Sequence, residues 1–133
     1  MVGTDIIEVS RIKKIIKDKG GKFLNRIYTK NEIDYCESKG LNKYQHYAGR
    51  FAAKEAIFKL VNYNNDSSAS LIFKDIEILN KSNGSPYLKF HSKNLTVSSI
   101  YISISHIKKY ATAVAVKRWL RTLRYQILLS LII

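Results

Sequence analysis

GRFAAKEAIFKLV (residues 49–61) is apolar on every side when wound at about 100° per residue. Phe51, Ala52, Ala53, Ala56, Ile57, Phe58, Leu60 and Val61 spread right round the turn. A helix of that kind belongs in an interior rather than on a surface. Lys54, Glu55 and Lys59 therefore have no water-facing side to occupy. Glu55 projects between Phe51 and Phe58 on one flank and Ala52 on the other, with Lys59 one turn further along the same stripe. A buried carboxylate without a partner is costly, so such residues are paired or hold a metal. Two readings stand at this point: a Glu55–Lys59 helical pair worth about 0.2–0.5 kcal/mol at a core edge, or a ligand set.

Upstream, MVGTDIIEV opens with β-branched residues and reads as a short strand passing into a helix. Val9, Ile12, Ile15 and Ile16 recur at helical spacing while Arg11, Lys13, Lys14 and Lys17 point elsewhere. The paired glycines of DKGGK end that helix. Phe23, Leu24, Ile27 and Tyr28 suggest a short helical piece. Thr29 and Glu32 make a capping-box pattern that starts a helix through about Ser38. Downstream, NYNNDSSAS (62–70) is a polar loop by composition, and the period then changes. LIFKDIEIL alternates, with Ile72, Lys74, Ile76 and Ile78 on one side, and NKSNGSPY turns at Asn83-Gly84 into YLKF. SSIYISISH and YATAVAVKRW are separated only by HIKK and read as a hairpin. The expected architecture is α+β: an N-terminal strand and three or four helices packed on a mostly antiparallel sheet.

The 133 residues suit one domain, and 46% apolar with 25% charged residues is normal for a globular protein. The charge balance is not: 23 Lys+Arg against 10 Asp+Glu leave a formal +13, which implies an anionic partner. Cys36 is the only cysteine, so no intramolecular disulfide forms. No signal-peptide pattern and no apolar run near the roughly 20 residues of a membrane span occur, so a cytoplasmic setting without stable membrane insertion is expected. Asp5 in GTDI is a second carboxylate in an apolar element, disfavoured there by strand propensity. It either tips into water at the strand end or holds something. Taken with Glu55 and the positive charge, it fits metal-assisted handling of a phosphate compound.

VGTDI followed at a distance by RFAAKEAIFK resembles the two-part signature of the 4'-phosphopantetheinyl transferases, and specifically the small single-domain holo-[acyl-carrier-protein] synthase type. The likeness runs through DIIEVSRI, YTKNEIDYC, GRFAAKEA, FKDIEIL, NGSPY and SISHIKKYATAVAV. It implies transfer of the phosphopantetheine arm of coenzyme A to a serine of an apo acyl carrier protein, releasing 3',5'-ADP, with Mg²⁺, in support of fatty acid biosynthesis. By resemblance Asp5 and Glu55 ligate the metal, Glu55 and Lys59 are the catalytic residues, and either Glu55 or a metal-ordered water accepts the serine proton. Arg50, Lys54, Gly84, Pro86, Ser105 and His106 match positions near coenzyme A. For Lys54 a plain surface or core-edge lysine stands beside that reading, and for His106 a hairpin-end histidine bonded to backbone. The basic first helix is either a solvated face or, as the resemblance implies, a dock for the acidic carrier through Arg11, Lys13 and Lys14. Homotrimers with sites between subunits are also implied.

The chain departs from the family pattern in three places. Ser85 stands where a lysine or arginine is usual between the glycine and proline of NGSPY, and Lys109 where an acidic residue is common. Residues 1–116 are expected to form the transferase domain, and 117–133, KRWLRTLRYQILLSLII, an extension that packs on the protein or touches a membrane surface. The competing class is a basic nucleic-acid-binding module without catalysis, motivated by the charge and nine tyrosines that stack on bases. No RNA-recognition or helix-turn-helix pattern supports it, and it leaves Asp5 and Glu55 unexplained.

Overall fold

The computed structural model describes residues 1–62, 71–91 and 99–118. In chain order it runs β1 (Val2–Glu8), α1 (Val9–Lys19), α2 (Gly21–Ile27), α3 (Lys30–Glu37), α4 (Lys43–Asn62), β2 (Ile76–Asn80), β3 (Pro86–Phe90), β4 (Ile100–His106) and β5 (Tyr110–Lys117). Each helix ends where local chemistry directs. Gly20, at φ 53°, takes the left-handed conformation that stops α1. Thr29 and Glu32 form the expected reciprocal cap of α3, the Thr29 hydroxyl accepting from the Glu32 N–H and the Glu32 carboxylate from the Thr29 N–H.

The strands divide into two antiparallel sheets, β1-β5-β4 with β5 central, and the β2-β3 hairpin. Two expectations are corrected here. Phe73–Asp75 forms a 3-10 turn, not strand, because the Asp75 carboxylate accepts from the Ile72 N–H at 2.9 Å and closes the chain on itself. The alternation across LIFKDIEIL also fails: Ile72 is exposed, whereas Ile76, Glu77 and Ile78 are all buried. The loop expected at 62–70 and the extension lie largely outside the described residues.

α4 crosses the inner face of β1-β5-β4 and is largely buried from Tyr47 to Leu60. It is not buried all round, against what its composition predicts: Phe51, Glu55 and Phe58 are half-buried and Lys59 is exposed. Small residues make this approach possible. Ala111, Ala113 and Ala115 of β5 point inward, and a Cβ added at Gly3 of β1 would collide with the Ala56 carbonyl oxygen. Ala52, Ala56, Ile57 and Leu60 pack there with Ile76 and Ile78. Towards its N-terminal half α4 meets a second cluster built from Val9, Ile12, Ile16, Ile27, Tyr28 and Cys36. The outer face of the sheet is apolar too: Val2, Ile6, Tyr101, Val114 and Val116 stand exposed, Ile6 at 68%. β5 is thus apolar on both faces, with one of them uncovered in the single chain.

Candidate active site

β1 alternates, so that Gly3, Asp5 and Ile7 face α4 while Val2, Thr4 and Ile6 face outward. Because Gly3 lets the helix come close, Asp5 meets its last turns. Lys59 Nζ donates to Asp5 Oδ1 at 2.8 Å and to the Thr4 carbonyl at 3.0 Å. The strand carboxylate, and not Glu55 one turn back, is the hydrogen-bonded partner of Lys59 among the described residues. That bond raises the Lys59 pKa. Partial burial, followed by the neighbouring Asp5 charge, raises the Glu55 pKa, with Lys59 working against it. Asp5, Glu55 and Lys59 therefore form one electrostatic group at the β1–α4 contact.

A second group sits on another side of the helix, since the five residues from Arg50 to Glu55 turn it by about 140°. Arg50 is 4% exposed; its guanidinium lies 3.9 Å from the Tyr35 ring centroid and donates from Nη2 to Asn80 Oδ1 at 2.6 Å. Asn80 in turn donates to the Gly84 carbonyl at 2.9 Å and is the register partner of Pro86, so Arg50, Gly84 and Pro86 are drawn together. His106 closes the other end of this file: its ring is 4.8 Å from that of His46, which is 5.6 Å from Tyr35. His106 Nδ1 meets Gln45 Oε1 at 3.2 Å, a side-chain partner on α4 and not the backbone. Ser105, beside it on β4, is exposed and pairs with Thr112 of β5.

Lys54 requires correction. It is neither a surface nor a core-edge lysine but lies fully inside the core. Its ammonium is fully buried and donates to Glu32 Oε2 at 2.7 Å, the Ile27 carbonyl at 2.8 Å and the Phe73 carbonyl at 3.0 Å, which uses all three of its N–H donors. Burial lowers its pKa and the Glu32 charge opposes the fall. Arg11, Lys13 and Lys14 are exposed on α1, and Lys13 shares a groove with Gln45, the partner of His106. That groove, of about 460 Å³, is lined also by Ser10, Leu41, Tyr44 and Lys108, with Leu41 99% exposed.

The chain as a whole has known counterparts. The family profile described as the 4'-phosphopantetheinyl transferase superfamily matches residues 1–115. The chain belongs to the 4'-phosphopantetheinyl transferase superfamily. A holo-[acyl-carrier-protein] synthase of Ruminiclostridium cellulolyticum is 46% identical over 122 residues, covering 87% of this chain and 90% of that one. One of Chlamydia caviae is 47% identical over 118 residues, covering 86% and 93%. Among solved structures, the Helicobacter pylori holo-[acyl-carrier-protein] synthase in complex with coenzyme A superposes with a TM-score of 0.76 at 32% identity, covering 89% of this chain and 100% of that one. The Bacillus anthracis enzyme in complex with CoA (3',5'-ADP) gives 0.70 at 38% identity, covering 87% and 93%.

In this transferase the metal question rests on donor chemistry. Among the described residues no group of three or more His, Cys, Asp and Glu side chains is assembled for an ion. Two carboxylates suit Mg²⁺, which takes one or two from protein and the rest from water and substrate phosphate. Asp5, bonded to Lys59, and Glu55, its pKa raised by partial burial and then by the Asp5 charge, lie at the same β1–α4 contact, so the donor chemistry present is of the kind Mg²⁺ takes. Three groups escape the linear reading of this phosphopantetheinyl transferase: Glu32, beyond its capping role; buried Glu77, which accepts from Thr29, Asn31 and His91; and Asn80. A charged residue between Ile76 and Ile78 is a signal for Glu77. Asn80 carries none.

Proposed function

We propose that this chain is a holo-[acyl-carrier-protein] synthase, moving the 4'-phosphopantetheine arm of coenzyme A onto a serine hydroxyl of an acidic apo acyl carrier protein. The serine oxygen forms a bond to the phosphorus bearing the arm. The bond from that phosphorus to the bridging oxygen breaks, and 3',5'-ADP leaves. Glu55, or a water ordered by the metal, would take the serine proton, and the Lys59 ammonium offsets charge on the departing phosphate. Asp5 and Glu55 are the residues that would hold Mg²⁺, which when bound supplies Lewis-acid polarisation of the pyrophosphate. Arg50, Gly84, Pro86, Ser105 and His106 form the coenzyme A side of the site. The observation that carries this reading is the Asp5–Lys59 contact beside Glu55 in a chain matched by the family over residues 1–115.

The assembly belongs to the same proposal. The uncovered apolar outer face of β1-β5-β4 and the placement of the two residue groups on different sides of α4 both support self-association. The resemblance implies a homotrimer in which one chain's carboxylates meet another's coenzyme A residues. The exposed cations of α1 steer the carrier in. Residues 1–116 constitute the catalytic domain and 117–133 an extension of it. Fatty acid biosynthesis in the cytoplasm is the setting that follows from such a carrier. No helix among the described residues is long and apolar enough to cross a membrane. The nucleic-acid reading gains no support, and two of its tyrosines, Tyr28 and Tyr47, are fully buried in the core.

The test is direct. Protein incubated with apo carrier, coenzyme A and Mg²⁺ should add the mass of one phosphopantetheine to the carrier, and EDTA or Glu55→Gln should abolish the gain. An unmodified carrier in the presence of folded protein would refute the proposal.

A further inference from the structure

Asn80 is the last residue of β2, and its side-chain amide joins two parts of the molecule. Its Oδ1 accepts from Arg50 Nη2 at 2.6 Å while its Nδ2 donates to the Gly84 carbonyl at 2.9 Å. The turn it holds is tight. Gly84 N–H donates to the Lys81 carbonyl at 2.9 Å, Lys81 N–H to the Ser85 carbonyl at 2.9 Å, and Gly84 sits at φ 84°, a conformation that favours glycine. Arg50 is enclosed, stacked on Tyr35, and its Nε is the buried side-chain nitrogen without a hydrogen-bond partner among the described residues. The turn carries Ser85 in place of the basic residue expected there, so the cation latched to it comes from α4.

We propose that Asn80 is a positioning residue for the nucleotide end of coenzyme A, acting through Arg50 and the Gly84 turn. The inference rests on the transferase reading above. Only a group that accepts and donates at once can serve both sides, which an amide does and a carboxylate does not. Releasing it frees the guanidinium to swing on its long side chain and lets the turn relax, so that the two no longer present one prepared surface to an anion.

Steady-state transfer by wild type, Asn80→Ala and Asn80→Asp tests this, with thermal melting of each. The expected result for Asn80→Ala is a KM for coenzyme A raised about tenfold, the scale of one lost charge-assisted hydrogen bond. The kcat stays within about twofold and the KM for the carrier is unchanged, the pattern of lost binding common to ground and transition states. Asn80→Asp keeps the acceptor for Arg50 but loses the donor to Gly84, and its KM for coenzyme A also rises. Calorimetry with 3',5'-ADP should register the same loss for both variants. The inference is overturned if either folded variant keeps the wild-type KM for coenzyme A, or if both KM values rise together. A wild type that transfers nothing defeats the transferase reading instead, and the calorimetry with 3',5'-ADP then still decides whether Asn80 shapes a nucleotide site.

Discussion

Lys54 and Glu32 form an ion pair of 2.7 Å with neither side chain exposed to solvent. It ties the middle of α4 to the first turn of α3, and through the Ile78 N–H, which donates to Glu32 Oε1 at 3.0 Å, to β2. Removing one member leaves the other charge buried and unpaired. Lys54→Met should therefore destabilise the fold by about 3–5 kcal/mol, read by urea unfolding. The double variant with Glu32→Gln should lose less than the sum of the two single changes. Additive losses would show that the pair is not coupled.

The approach of β1 to α4 depends on Gly3. Gly3→Ala places a methyl group against the Ala56 carbonyl oxygen, a backbone atom that cannot swing aside. Overpacking of this kind costs about 1–3 kcal/mol, and it moves Asp5 away from Lys59. The melting temperature should fall, and transfer per folded molecule should fall further than stability alone accounts for. A variant as active as wild type would disprove the dependence of the site on this contact.

On the proposed docking role of α1, its charge should govern encounter and not chemistry. Arg11 and Lys14 are exposed, so Arg11→Glu with Lys14→Glu should leave the melting temperature within a few degrees. The kcat/KM for the carrier should drop roughly tenfold or more at low salt, with a weaker dependence on ionic strength. An unchanged salt dependence would remove α1 from the docking surface.

His46 predicts a pH effect on stability. Burial first, then the nearby His106, Arg50 and Lys39, lower its pKa to about 4, against about 6.5 in an unfolded chain. Between those values the unfolded state binds the proton and the folded state does not. The stability associated with neutral His46 is thus fully present above about pH 6.5 and declines as pH falls towards 4. His46→Gln should flatten that limb of a stability–pH curve measured by chemical denaturation. An unaltered limb would contradict the assignment.

Some of this was written locally in the chain. The burial of α4, the cap at Thr29 and Glu32, the ends of α1 and the β4–β5 hairpin follow from periodicity and turn chemistry within a few residues. Asp5 and Glu55 were conspicuous for the same reason, as carboxylates set in apolar neighbours. Lys54 was equally conspicuous, but its meaning was not legible, because its partners lie 22, 27 and 19 residues away. Asn80 had no local peculiarity at all and gains its role only from Arg50, 30 residues upstream.

Periodicity and a few misplaced charges were enough to read an α+β chain and to mark two carboxylates, while the family was legible only through the resemblance of VGTDI and RFAAKEAIFK to its signature. Which charge pairs with which was settled in three dimensions: Lys59 went to Asp5 and not Glu55, Lys54 went inward, and the β-strands split into two sheets. The physical reason is range. Backbone preferences act over three or four residues, whereas a hydrogen bond between distant side chains exists only once packing has brought both ends to the same place.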